Sequence, residues 1–152
     1  MHQSILCIGE ALIDMICTDS GQPLSAGEHF IKKAGGAPGN VAAAIAALGG
    51  KVALLARTGT DPFGQFLQQT LRSFDVDTQW LIQDPDYFTS FAFVSLMENG
   101  ERDFYFNRGA DGMLQPDDVN AIDLELFPMI HFGSATAFLP GPLQSSYRLL
   151  LE

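Results

Sequence analysis

The sequence predicts an α/β fold in which helices cover a mostly parallel sheet. Two short continuous apolar runs, residues 5–8 and 52–56, have the pattern of strands that are buried on both faces. An alanine-rich segment of helical composition lies between them, and a β-hairpin pattern follows later in the chain. The 152 residues have 47% hydrophobic content and no repeat or polar linker, so we expect one α/β core with small β excursions.

Residues typical of helix ends predict the first two helices. Pro38 suits the first turn of a helix, residues 41–48 are good helix formers, and the glycines at 49–50 end the helix. Asp61 and Pro62 are typical of the N-cap and first turn of a second helix, so we interpret Asp61 as structural. A stripe at helical spacing follows and is predicted to pack in the core: Phe63, Phe66, Leu67, Thr70, Leu71 and Phe74.

A β-hairpin is predicted for residues 88–108. Apolar residues dominate the first arm, and Asn99-Gly100 is a turn signal. The two-residue period of a strand places one set of second-arm side chains on one face: Arg102, Phe104, Phe106 and Arg108. We expect this hairpin to cover a site as a lid.

Three later elements complete the predicted order. They are a short helix at 116–119, a buried strand at 129–134 and a helix that begins at Pro142. His131 lies on that strand without an acid or nucleophile at motif spacing, so we predict a core histidine rather than a catalytic base. Gly133 and Ser134, at the end of the strand, are predicted to face the site.

Charge and cysteine content argue against several classes of function. Eight basic and 18 acidic residues give a net charge of −10, which disfavours non-specific binding to nucleic acid or an anionic membrane. No apolar run reaches about 18 residues and no basic secretory start is present, so a cytoplasmic location is expected. Cys7 and Cys17 lie in apolar sequence without a CxxC pair, which predicts reduced thiols and no metal site.

The run from residue 35 to 42 is the most informative motif. Paired glycines let the backbone approach a ligand, and Asn40 adds a hydrogen-bond donor and an acceptor. Neither a GxxxxGK[ST] loop nor a strand-linked GxGxxG fingerprint is present. Seven residues fit every defined position of the first signature of the ribokinase-like (PfkB) sugar kinases, and the chain resembles that family: Gly35, Gly36, Pro38, Asn40, Ala42, Gly49 and Gly59.

A second resemblance narrows the branch of the family. Residues 100–111 are similar to the lid segment of bacterial and plant fructokinases, and Leu12 stands where the ribokinase branch has a polar residue. The resemblance implies a three-layer α/β/α core with a small β-strand lid, formed by segments near 12–33 and 87–108. It also implies ATP-dependent phosphorylation of a sugar primary hydroxyl, giving fructose 6-phosphate, with Mg²⁺ bridging phosphate oxygens.

The same resemblance assigns candidate substrate contacts. Asp14, at the end of the first strand region, matches the aspartate that these enzymes place on their sugar, and a carboxylate there can accept bonds from two hydroxyls. Gly35, Gly36 and Asn40 match other substrate contacts. The guanidinium of Arg108 can fork onto sugar oxygens, and an aromatic ring can shield the sugar from water; the candidate rings are Phe104 and Phe91.

The catalytic base of this family is an aspartate in a later Gly-Ala-Gly-Asp motif, which does not occur in these 152 residues. The adenine pocket and the acidic metal motif also belong to the family's later half. The resemblance therefore predicts that residues 1–152 form the N-terminal, sugar-binding part of a kinase whose base lies beyond Glu152. It further predicts that this part is inactive alone, has no catalytic residue of its own, and forms a homodimer through the lid.

Two alternatives remain open from the sequence. A kinase that acts on 2-keto-3-deoxygluconate or a ribosyl compound shares the glycine motif. It would differ in which sugar protects the protein or stimulates ADP formation. A non-enzymatic sugar-binding module belongs to a different class, and would bind sugar without any dependence on nucleotide.

Overall fold

The computed structural model describes residues 4–133, 136 and 139–152. Within these residues the strands are β1 (Ile5–Ile8), β2 (Leu12–Cys17), β3 (Phe30–Gly35), β4 (Val52–Gly59), β5 (Leu81–Asp84), β6 (Phe91–Leu96), β7 (Arg102–Asn107) and β8 (Ile130–Phe132). The helices are α1 (Ala37–Ala47), α2 (Pro62–Ser73), α3 (Pro116–Asn120) and α4 (Pro142–Leu149), with 3-10 turns at Ala110–Met113 and Leu124–Leu126.

The first sheet is parallel and has the order β5-β4-β1-β8. In its centre Ile5 lies beside Val52 and Ile8 beside Leu55, while Leu6 lies beside Ile130 on the other side. The two apolar runs are therefore adjacent central strands. This result confirms the prediction that they would be covered on both faces.

Helices cover both faces of the first sheet, and this gives three layers. Alternate side chains of β1 and β4 point to α1 and α2 on one side, where Cys7 and Leu54 pack with Leu67. The other side chains of the same strands point to α3 and α4, where Ile8 and Leu55 pack with other apolar residues. The predicted α/β/α core is confirmed.

A second sheet, with the order β3-β2-β6-β7, extends from the end of the first. The segment after β1 leads directly into β2, which pairs antiparallel with β3 and parallel with β6. Strands β6 and β7 form the predicted hairpin, in which Ala92 lies beside Phe106 and Val94 beside Phe104. The second sheet thus joins the two segments that the sequence marked as a lid.

Two predicted core positions differ from the structure. Phe74 is 47% exposed because α2 ends there: Asp75 adopts a left-handed conformation with φ 64, and the amide of Val76 bonds back to the carbonyl of Leu71. His131 is half-buried rather than fully buried, because β8 is an edge strand of the first sheet. Ser134 lies outside the described residues.

Both cysteines are free, and burial raises the pKa of the Cys7 thiol to about 11, which keeps it protonated near neutral pH. Across residues 4–133, 136 and 139–152, no helix is long and apolar enough to cross a membrane.

Candidate functional site

A cavity of about 480 Å³ lies where the second sheet meets the end of the first. Asp14 of β2 contributes a carboxylate to it, and Phe104 and Phe106 of β7 form an aromatic wall. The rest of the lining comes from the segments after β1, β3 and β8: Glu10, Gly36, Ala37, Thr136 and Leu139, with Leu12 and Ala92 from the strands. A second hollow on the same face continues from Asp14 toward Leu96 and Arg102.

Strand geometry decides which side chains reach this face. Ile13 is fully buried in the core, so its neighbour Asp14 points to the opposite side of β2. Asp14 lies beside Ala92, which lies beside Phe106 across the next pair of strands. The small side chain of Ala92 leaves open space between the carboxylate and the aromatic wall.

The two glycines of the motif are both needed for this arrangement. A Cβ added to Gly35 would overlap the carboxylate of Asp14, and one added to Gly36 would overlap the carbonyl oxygen of Glu10. Gly36 also has φ 97, a conformation that residues with a side chain rarely adopt, and it is the N-cap of α1. The glycine pair therefore lets the start of α1 lie directly against Asp14 and the end of β1.

Burial raises the pKa of the Asp14 carboxyl above its ordinary value. Removal of a carboxylate from water disfavours its charged form, unless hydrogen-bond donors replace the lost water. A ligand that brings hydroxyl groups supplies such donors. The site is thus suited chemically to a neutral polyol held against an aromatic wall.

A buried polar cluster lies at the end of β7. Asp111 is fully buried; one oxygen of its carboxylate accepts a bond from the hydroxyl of Ser90, and the other accepts a bond from Nε of Arg108 at 3.3 Å. The amide of Gly109 donates to the same Ser90 hydroxyl at 2.7 Å. Burial raises the pKa of Asp111, although its bond from Ser90 and the charge of Arg108 act in the opposite direction.

Thr136 connects this cluster to the cavity. Its hydroxyl donates to Oε2 of Glu10 at 2.6 Å, and its carbonyl oxygen accepts a bond from Nη1 of Arg108 at 3.3 Å. Glu10 is only 5% exposed. Arg108 itself lines a neighbouring hollow of about 220 Å³ with Gly109 and other residues.

The structure brings together some of the residues singled out from the sequence. Asp14, Gly35, Gly36 and Phe104 lie at the cavity or directly against its carboxylate. Arg108 does not line this cavity: it is half-buried and contacts Thr136, which does line it.

Two other candidates lie elsewhere. Asn40 is exposed and lines a separate cavity of about 230 Å³ between α1 and α2. Phe91 is not on the Asp14 face: it lies beside Ile13, and its ring packs edge-on against Phe63 of α2 at 4.8 Å between centroids. Its placement as a shield for the sugar is corrected, because strand alternation directs its side chain into the layer between the second sheet and α2.

Sequence reasoning missed four polar residues of this region: Glu10, Ser90, Asp111 and Thr136. Glu10 contacts Thr136 and Ser90 contacts Asp111, and no local spacing reveals pairs of residues so far apart in sequence. The one available signal was Asp111, which falls in the segment similar to fructokinase lids.

Within the described ranges, no group of three or more His, Cys, Asp or Glu residues is placed to hold a metal ion.

Comparisons with known proteins indicate one family. A family model described as "pfkB family carbohydrate kinase" matches residues 2–151. Similar curated proteins are a probable fructokinase-2 of Arabidopsis thaliana, 39% identical over 97% of this chain and 45% of its own length, and a fructokinase of Solanum tuberosum, 37% identical over 97% and 47%. The chain spans about half the length of the curated relatives it matches.

Solved structures give the same result. Halothermothrix orenii fructokinase has a TM-score of 0.86 and 31% identity over 97% of this chain and 52% of its own. A sugar kinase of Pyrococcus horikoshii, described in complex with ATP, has a TM-score of 0.86 and 30% identity over 97% and 48%. The likeness confirms the predicted fold.

Proposed function

The chain belongs to the pfkB family of carbohydrate kinases, and from this premise we propose that it serves the ATP-dependent phosphorylation of fructose to fructose 6-phosphate. The relatives named as fructokinases support the choice of sugar. The observation that carries the proposal is the Asp14 carboxylate, which faces a cavity closed on one side by Phe104 and Phe106.

In the proposed complex, the Asp14 carboxylate accepts hydrogen bonds from two neighbouring sugar hydroxyls. Gly35 and Gly36 allow the backbone at the start of α1 to approach the same ligand, and Arg108 donates to sugar oxygens. The rings of Phe104 and Phe106 exclude water from the opposite side. These interactions orient the sugar, and alignment is a large part of catalysis by phosphoryl transfer.

ATP and Mg²⁺ are the co-reactants that this family implies. The described residues offer no cluster suited to a metal ion, and the Gly-Ala-Gly-Asp motif of the expected base does not occur in the sequence. The residues that the structure describes therefore do not fit a metal site. Their proposed role is to bind and orient the sugar, and we expect no turnover from these 152 residues alone.

We also propose that the second sheet acts as a lid and as the interface of a homodimer. The second sheet would cover the bound sugar and pair with the same sheet of a second copy, because it exposes apolar side chains at Ile31, Leu96 and Tyr105. Light scattering tests the homodimer, and a strict monomer would contradict it. The cytoplasmic location expected from the sequence remains part of the proposal.

Calorimetry on the purified chain tests the choice of sugar. We expect heat of binding with fructose, and weaker binding with ribose and 2-keto-3-deoxygluconate. Preferential binding of either other sugar would replace fructose as the substrate. Fructose-dependent ADP release by this chain alone would show that the base has been misplaced.

A further inference from the structure

We propose that Asp111 is a positioning residue that holds Arg108 in the orientation needed to bind the sugar. The inference rests on the proposed function, and it concerns a residue that does not line the Asp14 cavity. Asp111 would act only through Arg108, so its contribution to sugar binding should disappear when Arg108 is absent.

The carboxylate of Asp111 is itself held in place by residues at the two ends of the hairpin. Its Oδ1 atom accepts a bond from the Ser90 hydroxyl, which is fixed in turn by the Gly109 amide at 2.7 Å. Ser90 precedes β6 and Gly109 follows β7, so both ends of the hairpin anchor this carboxylate. Because Asp111 is fully buried, solvent does not compete for these bonds.

The second carboxylate oxygen fixes Arg108. Oδ2 accepts a bond from Nε at 3.3 Å, and the guanidinium is confined on another side by Gly112, where an added Cβ would lie 2.7 Å from Nε. Nη1 then donates to the carbonyl of Thr136 at 3.3 Å. A planar guanidinium held at two of its nitrogens has a defined direction for the third.

The third nitrogen, Nη2, indicates that a ligand binds next to Arg108. Nη2 of Arg108 is buried and has no hydrogen-bond partner among the residues that the structure describes. A buried donor without a partner is unfavourable, and native proteins contain few of them. Thr136, which Arg108 contacts, lines the cavity together with Phe106, the residue two positions before Arg108. A sugar oxygen at this end of the cavity would satisfy Nη2.

Asp111→Asn is the primary test, because it keeps the shape of the side chain and removes its charge. The matched control is Asp84→Asn, since Asp84 is also buried and accepts a bond from an arginine, Arg57, at 2.7 Å. We expect Asp111→Asn to weaken fructose binding about tenfold, the loss of one charge-assisted hydrogen bond, and Asp84→Asn to leave the affinity unchanged.

A double-mutant cycle separates positioning from a direct role. Arg108→Ala should weaken fructose binding at least as much as Asp111→Asn, and the two changes together should be no worse than Arg108→Ala alone. Unchanged affinity in Asp111→Asn, or losses that multiply in the double variant, would overturn the proposal.

Hydrogen exchange of the Arg108 Nε–H group, measured by NMR, gives a readout that needs no sugar. We expect exchange to be slow in the natural chain and at least about tenfold faster in Asp111→Asn; equal rates would refute positioning. Should Asp111→Asn fail to fold, Ser90→Ala keeps the carboxylate but removes one of its anchors, and the same acceleration is expected, with an unchanged rate again refuting it. Absence of fructose binding by the natural chain would instead refute the proposed function, while the exchange rates still decide whether Asp111 positions Arg108.

Discussion

The two sheets of this molecule differ in how they are covered. In the first sheet, β4 is buried along nearly its whole length, because α1 and α2 cover one face and α3 and α4 cover the other. In the second sheet, no residue of β7 is fully buried, and the face that carries Phe91 packs against α2. The first sheet therefore provides the stability of the fold, and the second provides a surface on which a ligand can be held.

The candidate site lies at the junction between these two sheets. Glu10 follows β1, which belongs to the first sheet. Asp14 of β2 and Phe104 of β7 belong to the second sheet. The first sheet thus supplies one wall of the site, and the open face of the second sheet supplies the other. Changes in each sheet should consequently separate folding from binding.

The largest effect on stability is expected from Leu54→Ala in the first sheet. Leu54 is fully buried, so its truncation should leave a cavity and lower the free energy of unfolding by about 2–5 kcal/mol. Urea denaturation followed by circular dichroism measures this change. The matched variant in the second sheet is Tyr105→Ala, whose side chain is 61% exposed and should cost less than about 1 kcal/mol. Similar losses for both would contradict the division of roles.

Asp14→Asn should have the next largest effect, and should act on binding. Loss of hydrogen bonds to a charged group is expected to weaken fructose binding about 10- to 100-fold, measured by calorimetry. Asp86→Asn is the control, because Asp86 is exposed and lies away from the cavity. Full affinity in Asp14→Asn would remove this residue from the site.

Asp14→Asn should also be more stable than the natural chain near neutral pH. The pKa of Asp14 is raised in the folded state, so its ionisation opposes folding: stability is highest below the ordinary carboxyl pKa, about 4, and falls as pH rises through the raised value. Asparagine does not ionise. Denaturation at pH 3 and pH 7 should show an advantage for Asp14→Asn that appears only at the higher pH, and an advantage of equal size at both would exclude this cause.

Gly35→Ala should weaken binding with little change in stability. The added methyl group would overlap the Asp14 carboxylate and displace it, and a side-chain end can move without disturbing the sheet. We expect about a tenfold loss of fructose affinity, equivalent to about 1.4 kcal/mol. The control, Gly49→Ala, has open space but φ 83, so it should lower stability by about 1 kcal/mol and leave binding intact. The reverse pattern would show that Gly35 serves the fold instead.

The first sheet was more predictable from sequence than the second, and the reason is local chemistry. Continuous apolar runs identified β1 and β4, and Asp61 identified the start of α2, where its carboxylate accepts bonds from the amides of Phe63 and Gly64, both at 2.9 Å. Each signal is complete within a few residues. The hairpin was also found, because its turn and alternation are local.

The site was harder to predict because it depends on which face of a strand meets the core. Strand β6 carries large apolar residues at both odd and even positions, so the sequence alone did not show that Phe91 packs against Phe63 while Ala92 faces the cavity. The bond between Ser90 and Asp111 joins residues 21 positions apart, which the folded hairpin brings together. Buried polar partners of this kind have no periodic signal.

The smallest expected effect is on stability, and it concerns Lys32 of β3, which contacts helix α2. Its Nζ atom lies over the ring of Phe66 in α2, at 3.8 Å from the centroid, so a charge on β3 attaches the second sheet to the helix that covers the first. Lys32→Gln removes the charge and should lower the free energy of unfolding by about 0.5–1 kcal/mol. Lys51→Gln, at another exposed lysine, is the control and should change it less. Since cation–π attraction persists in salt better than attraction between exposed ions, the loss for Lys32→Gln should remain in 0.5 M NaCl; its disappearance there would show that Lys32 acts by long-range charge alone.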